Sequence, residues 1–190
     1  MILPIVLFGN PVLRQPGKPV RRFDADLRKF AEDMQETMVA NQGVGLAAQQ
    51  VGKPLLFAVI DVKRTKTSST MIIRGKPVPV EEQMPLFLVN PVVSLTKSKE
   101  IGNEGCLSFP GLRIDVPRSR RVSVRAQDLQ GKPLVFEASG FLAVVIQHEV
   151  DHLYGRLFID YLKPAERKEI KEDLARIRQG LPALTKDTKE

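Results

Sequence analysis

The sequence predicts an α+β fold in which antiparallel sheets pack around a central buried helix carrying an HExxH motif, followed by a C-terminal helix. Three observations lead to this class. Several segments rich in β-branched residues are bounded by prolines or turn residues, which is typical of strands. The run at residues 141–146 is apolar on every side, as expected of a helix buried in the core. The chain has 190 residues, of which 43% are hydrophobic, so we expect one domain with a single core.

The first half of the chain predicts one helix and two strands. Asp24 is a good N-cap, and apolar residues then recur every three or four positions, which indicates an amphipathic helix ending near Asn41. Residues 55–62 and 86–93 are expected strands. The polar segment between them, residues 63–85, is expected to form a long loop or irregular hairpin, either as a lid over the site or extending away from it.

The second half predicts a hairpin and two helices. Residues 122–126 alternate between apolar and polar, and the turn sequence DLQG leads into a partner strand near residues 134–136. Ser139 is the expected cap of the buried helix, with Gly155 at its end. A single last helix is expected to begin at Pro164 and stop at Gly180. We therefore expect one domain over residues 1–181 and a frayed tail over residues 182–190.

Composition limits the classes of partner. The net charge is +7 and the pI is about 9.7, with basic residues concentrated at residues 63–76 and 113–132. Neither stretch interleaves aromatic residues for base stacking, so we expect no specific nucleic acid, and a solvated face is the favoured interpretation. Any contact with RNA would be weak and electrostatic at most. The apolar start, residues 1–8, is too short for a membrane span, and the single cysteine suits a reducing compartment; we expect a cytoplasmic protein without membrane contact.

The motif that points to chemistry is His148-Glu149-Val150-Asp151-His152. Two histidines four residues apart lie on one face of a helix and can bind one metal ion, while Glu149 can reach a water beside it. Two ordinary core histidines are the alternative. This alternative is the weaker one, because these are the only two histidines and they fall in the most apolar helix.

A catalytic metal site usually takes a third protein ligand. A third histidine is impossible, since none remains in the chain. Two candidates are left. Glu172 lies downstream, as in thermolysin-like sites, but in a segment whose charged face indicates a solvated helix. Cys106 lies in the bend EGCLS, although a lone cysteine is more commonly a small buried hydrophobe.

The sequence resembles the peptide deformylases in three separate segments, which occur in that family's order: GVGLAAQQ at residues 43–50, EGCLS at residues 104–108 and QHEVDH at residues 147–152. The segment PVLR at residues 11–14 resembles the family's start. The resemblance covers nearly the whole chain, and residues 63–85 resemble an insertion relative to the family's shorter bacterial members. It implies hydrolysis of the N-formyl group from nascent chains that begin with formyl-methionine.

The resemblance also implies a role for individual residues. Cys106, His148 and His152 match the family's metal ligands, and Glu149 matches its catalytic acid and base. The metal would be one divalent ion per chain, with Fe²⁺ expected in the cell and Zn²⁺, Ni²⁺ or Co²⁺ also compatible with the ligands.

Two further residues match groups that bind the developing oxyanion. These are Gln50, through its side-chain amide, and Leu107, through its backbone N–H. One such donor is typically worth about 3 kcal/mol of transition-state stabilisation. Glu104 resembles the family's structural acid, with Arg118 as its expected partner.

The expected substrate cleft combines glycines with an apolar pocket. Its candidate residues are Val44, Gly45, Gly105, Phe141, Val144 and Val145. The glycines would let the substrate backbone approach, and the helix residues would line the pocket for the methionine side chain. Turn formation and core packing are the respective alternatives.

Three hypotheses follow, in this order: a metal-dependent deformylase, a peptidase that uses Glu172 as a ligand, and a metal- or ribosome-binding module without catalysis. Loss of Cys106 would abolish metal binding in the first and spare it in the second. The third would tolerate loss of Glu149, and the presence of both Gln50 and Glu149 argues against it.

Overall fold

The structure is a computed structural model, and it describes residues 1–184. It has α+β architecture with antiparallel sheets, which confirms the predicted class. The helices are α1 (Ala25–Ala40), α2 (Phe141–Leu153), α3 (Pro164–Glu169) and α4 (Lys171–Arg178). The strands are β1 (Gly45–Ala47), β2 (Phe57–Ile60), β3 (Ser69–Ile73), β4 (Lys76–Val78), β5 (Leu86–Leu95), β6 (Lys99–Cys106), β7 (Phe109–Ser119), β8 (Arg121–Gln127) and β9 (Pro133–Gly140).

The strands form two antiparallel sheets. Seven strands pair in the order β1-β2-β5-β8-β9-β3-β4, and β6 pairs with β7 in a separate hairpin. Helix α2 packs against the large sheet through Leu142, Ala143 and Ile146, which are all fully buried. Helix α1 covers β1 and β2, while the N-terminal segment and the C-terminal helices cover β7. The HExxH helix thus contacts the large sheet on one side and β6–β7 on the other.

The expected helix at residues 24–41 is confirmed, and Asp24 caps it by accepting a hydrogen bond from Leu27 N. Strands β2 and β5 lie in the two segments predicted to be strands. The predicted hairpin is β8–β9, with Gly131 in its turn at φ 78°.

Residues 63–85 form a hairpin rather than a lid. Strands β3 and β4 pair with each other, and β3 adds to the large sheet beside β9. None of the residues in this segment lines the cleft described below. The inserted segment therefore forms the β3–β4 edge of the large sheet and lies outside the cleft lining.

The cap expected at Ser139 is wrong. Ser139 belongs to β9, and Gly140 makes the turn into α2 at φ 69°, where a Cβ atom would lie 2.3 Å from the carbonyl oxygen of Ser68. The cap comes from the inserted hairpin instead. Ser69 Oγ accepts a hydrogen bond from Leu142 N at 3.0 Å, and Ser68 O accepts one from Phe141 N.

The single last helix is also wrong, because α3 and α4 are separated at Ile170. The backbone of Ile170 has φ −90° and ψ 9°, outside the regular helical range, and its side chain is buried in the same cluster as Ile177. Of the expected tail, residues 182–184 are described: Ala183 N donates to Pro110 O and Leu184 N donates to Asp173. Residues 185–190 lie outside the described part of the chain.

Candidate metal centre

Helix α2 brings the three functional side chains of the HExxH motif close together. His148, Glu149 and His152 are all buried, and the two imidazole rings lie with their centroids 5.0 Å apart. Their four-residue spacing, about one helical turn, brings them to the same face. The helix ends directly after His152, where Gly155 adopts φ 72°.

Cys106 reaches the same point from the end of β6. A register shift between Gly105 and Cys106 precedes the two-residue turn to Phe109, and it turns the Cys106 side chain towards α2. Sγ lies 3.3 Å from His152 Nε2. Cys106, His148 and His152 each offer one ligand atom, and these atoms all lie within 4.8 Å of one another. One thiolate and two imidazoles form a donor set that suits a divalent transition metal.

The tautomer of His148 is fixed by a buried ion pair. His148 Nδ1 donates to Glu104 Oε2 at 2.8 Å, which leaves Nε2 directed to the ligand cluster. Glu104 accepts two further hydrogen bonds from Arg118, from Nε at 2.6 Å and from Nη2 at 2.9 Å. This bidentate pair is only 2–6% exposed, and it holds the carboxylate in one orientation.

Burial and close neighbours shift the pKa values of all three functional side chains of the HExxH motif. Burial, reinforced by the neighbouring His148, holds the pKa of His152 well below its usual value, so its imidazole is neutral. Burial also disfavours the charged form of His148, but hydrogen bonds to Cys106 and Glu104 outweigh it and raise the His148 pKa. Burial raises the pKa of Glu149 to about 7. Within the described residues, Glu149 Oε2 and His152 Nδ1 have no hydrogen-bond partner.

Gln50 directs its amide N–H groups towards the centre. Its Oε1 accepts a hydrogen bond from Ala47 N at 2.8 Å, so the opposite end of the amide must be the donor. Nε2 lies 3.4 Å from both Cys106 Sγ and Ser108 Oγ. Leu107 follows Cys106 in the turn between β6 and β7, so its backbone is held beside the ligand cluster.

An open cleft of about 600 Å³ leads to this centre. Its walls include all six residues expected in the substrate cleft, Val44, Gly45, Gly105, Phe141, Val144 and Val145, together with Gln50, Leu107, Glu149 and two of the ligands. The structure therefore places every predicted site residue except His152 and Arg118 along one continuous surface. Arg118 and His152 lie behind it.

Glu172 lies elsewhere in the fold. It is an exposed residue of α4 and is not part of the ligand cluster found in the described residues. Because Glu172 lies outside the cluster, the peptidase hypothesis lacks its third metal ligand.

Sequence reasoning missed several groups around the centre. Asp151 accepts a hydrogen bond from Arg118, and Tyr161 donates to Asp151 while its ring lies over the guanidinium. Ser108 contacts Gln50, and Arg113 borders the cleft while bonded to Asn103. Asp151 lay inside the HExxH motif at a position that the motif leaves open. Arg118 is 43 residues from Tyr161, so no local pattern links the two.

Comparison with known proteins gives consistent results. The sequence profile of the family described as "Polypeptide deformylase" matches residues 2–168. A protein named peptide deformylase from Methylacidiphilum infernorum is 61% identical over 185 residues, covering 97% of each chain. Another of that name, from Opitutus terrae, is 41% identical over 176 residues and covers 92% of each chain.

Solved structures resemble the fold closely. A peptide deformylase from Legionella pneumophila superposes with a TM-score of 0.78 at 35% identity, covering 94% of this chain and 96% of that one. One from Synechococcus elongatus, in complex with actinonin, gives a TM-score of 0.78 at 36% identity, covering 96% and 91%. None of the helices among residues 1–184 is long and apolar enough to cross a membrane.

Proposed function

The chain belongs to the polypeptide deformylase family, and from that membership we propose that its buried Cys-His-His cluster carries out the family's reaction. This reaction hydrolyses the formyl group from formyl-methionine at the start of nascent polypeptides and releases formate. The observation that carries the proposal is the convergence of Cys106, His148 and His152 within 4.8 Å, beside the carboxylate of Glu149.

Cys106, His148 and His152 would hold one divalent ion. Such an ion, when bound, acts as a Lewis acid and lowers the pKa of a coordinated water. Glu104 and Arg118 orient His148 for this task. The donor set is compatible with Fe²⁺, Zn²⁺, Ni²⁺ and Co²⁺, and we propose Fe²⁺ as the ion in the cell.

Glu149 moves the proton. A water oxygen attacks the formyl carbon while Glu149 accepts a proton from that water. As the C–N bond breaks, Glu149 donates the proton to the departing amine nitrogen, which leaves formate and a free amino terminus. Since burial brings the pKa of Glu149 to about 7, this carboxyl can both take up and release a proton near neutral pH.

Gln50 and Leu107 would stabilise the oxyanion that forms on the formyl oxygen. Gln50 is suited to this because Ala47 fixes its Oε1, so Nε2 is held towards the centre before the substrate arrives. Donors placed in advance in a buried site stabilise developing charge strongly. The Leu107 N–H would complete the pair from the turn after Cys106.

The cleft would bind the substrate chain. Val44, Gly45 and Gly105 border it where an extended peptide would lie, while Phe141, Val144 and Val145 offer an apolar wall for a methionine side chain.

The test is anaerobic turnover of formyl-Met-Ala-Ser by metal-reconstituted protein, with formate and bound metal measured together. We expect formate release by the wild type, its loss with retained metal in Glu149→Ala, and the loss of both in Cys106→Ala. Wild-type protein that binds metal and releases no formate would contradict the proposed reaction. The metal content of protein purified without oxygen tests the assignment of Fe²⁺.

We place the enzyme in the cytoplasm, in weak contact with the ribosome. The support is the net charge of +7 and the exposed basic residues of the inserted hairpin, including Arg64, Lys66, Arg74 and Lys76. Co-sedimentation with ribosomes should weaken as the salt concentration rises from about 50 to about 200 mM, because salt screens interactions between exposed charges. Binding that does not respond to salt would exclude the electrostatic contact.

A further inference from the structure

Arg118 binds two carboxylates at once in the interior. Its Nε and Nη2 edge is bonded to Glu104, and its Nη1 donates to Asp151 Oδ2 at 2.5 Å. The Arg118 side chain is only 2% exposed. One guanidinium is thus shared between an acid that orients His148 and an acid that directly precedes His152.

Tyr161 bounds this network on the side away from the ligand cluster. Its hydroxyl donates to Asp151 Oδ2 at 2.9 Å, the same oxygen that binds Arg118. Its ring faces the guanidinium, with Cζ of Arg118 4.7 Å from the ring centroid. Burial, with Asp151 beside it, raises the pKa of the phenol, so the hydroxyl remains a donor at neutral pH.

These contacts form one unbroken path to the ligand cluster. It runs from Tyr161 to Asp151, then to Arg118, Glu104 and His148 Nδ1, and every link is a hydrogen bond of 2.5–2.9 Å. Tyr161 lies in the C-terminal segment, outside the three sequence motifs. The path therefore ties the C-terminal segment to the orientation of a ligand.

We propose that Tyr161 is a positioning residue for the metal centre, acting on His148 through Asp151, Arg118 and Glu104. This inference rests on the metal centre proposed above. Asp151 and Glu104 share one guanidinium through different N–H groups, and the phenol hydroxyl donates a second hydrogen bond to Asp151. The ring covers the guanidinium face, so Arg118 keeps its bidentate contact with Glu104, and Glu104 keeps His148 in the ligating tautomer.

The test compares the two tyrosines of the chain, Tyr161→Phe with Tyr154→Phe as the control. Tyr154 follows α2, but its hydroxyl donates to Pro91 O, outside the network. Each metal-free protein is titrated with Co²⁺ against a competing chelator. We expect Tyr161→Phe to bind Co²⁺ roughly three- to tenfold more weakly, somewhat less than is typical for direct partners of ligands. Tyr154→Phe should match the wild type within about twofold, a margin well below typical partner effects.

The Asp151→Asn variant distinguishes an effect of Tyr161 through the proposed hydrogen-bond path from a general structural role of Tyr161. If Tyr161 acts through Asp151, adding Tyr161→Phe to Asp151→Asn causes no further loss of Co²⁺ affinity. Deformylation by the Co²⁺-saturated variants should show a change in kcat with KM little altered. Circular dichroism of the metal-free variants checks that Tyr161→Phe folds as the wild type does.

Two results would overturn the role of Tyr161: equal Co²⁺ affinity in Tyr161→Phe and Tyr154→Phe, or fully additive losses in the double variant. Both leave the deformylase reaction standing, provided that the wild type binds Co²⁺ and releases formate. A wild type that binds no metal would instead refute the metal centre, and this inference with it.

Discussion

Gly45 packs directly against the side chain of Glu149 at the candidate metal centre. A Cβ atom at Gly45 would lie 2.3 Å from Oε1 of Glu149 and 2.7 Å from its carboxyl carbon. The glycine is buried in β1, and the glutamate is buried in α2. The absence of a side chain at residue 45 therefore makes room for the proton-transferring carboxylate, in addition to any approach of substrate backbone.

Replacing Gly45 with alanine should displace Glu149 and lower kcat by at least about tenfold, because small misplacements of catalytic groups are costly. Gly43→Ala is the matched control. Its Cβ would meet the flexible end of the Leu107 side chain at 3.0 Å, which can move more easily. Formate release at saturating substrate measures kcat for both variants. Activity in Gly45→Ala equal to that of Gly43→Ala would contradict the steric argument.

Glu149 should destabilise the metal-free protein at neutral and alkaline pH. Burial raises its folded-state pKa from 4.5 to about 7, so the folded state holds this proton more tightly than the unfolded state does. Stability is therefore lost as the pH rises through this window, by roughly 3 kcal/mol in total. Glu149→Gln removes the penalty.

Urea denaturation in the presence of a chelator tests this sign. The Glu149→Gln variant should be more stable than the wild type at pH 8, and the difference should disappear near pH 4.5, the ordinary pKa of the carboxyl. A difference that stays constant between these pH values would show that Glu149 ionises normally in the folded protein.

Local patterns in the sequence predicted the α+β class, α1 and the strands β2, β5, β8 and β9, because each depends on residues close together in the chain. The HExxH spacing indicated two candidate ligands on one helical face, whereas the choice of Cys106 over Glu172 as the third came from the family resemblance. Contacts between distant segments were not predictable in this way. Ser69 caps a helix 73 residues further along the chain, and Arg118 contacts the ring of Tyr161, which is 43 residues away.

Ser69→Ala should cost about 1 kcal/mol of stability, since it removes the side chain that accepts from Leu142 N at the start of α2. Ser139→Ala is the control, because Ser139 lies in β9 and its hydroxyl bonds the exposed hydroxyl of Thr70. Urea denaturation measures both variants. A larger loss of stability in Ser139→Ala than in Ser69→Ala would show instead that Ser139 caps α2, as the sequence suggested.

Arg118→Met should destabilise the protein by about 3–5 kcal/mol, because it leaves two buried carboxylates, Glu104 and Asp151, without their cation. Arg120→Met tests the same change two residues away, at a side chain that is 64% exposed and 4.0 Å from Glu100. Its effect should stay within about 0.5 kcal/mol. Similar unfolding midpoints for the two variants would mean that Arg118 contributes no more than a surface charge.

Gln50→Glu should separate the two ends of the Gln50 side chain. A carboxylate keeps the acceptor for Ala47 N, so the local backbone is preserved, but it replaces the Nε2 donor with an oxygen. If that donor binds the developing oxyanion, kcat should fall by about 10²–10³ while KM changes little, since the contact strengthens only in the transition state. Steady-state formate release and Co²⁺ affinity should be measured on the same samples, because the added charge lies near Cys106. A fall in activity fully accounted for by lost metal would remove Gln50 from the oxyanion site, whereas a kcat defect at full metal occupancy would keep it there.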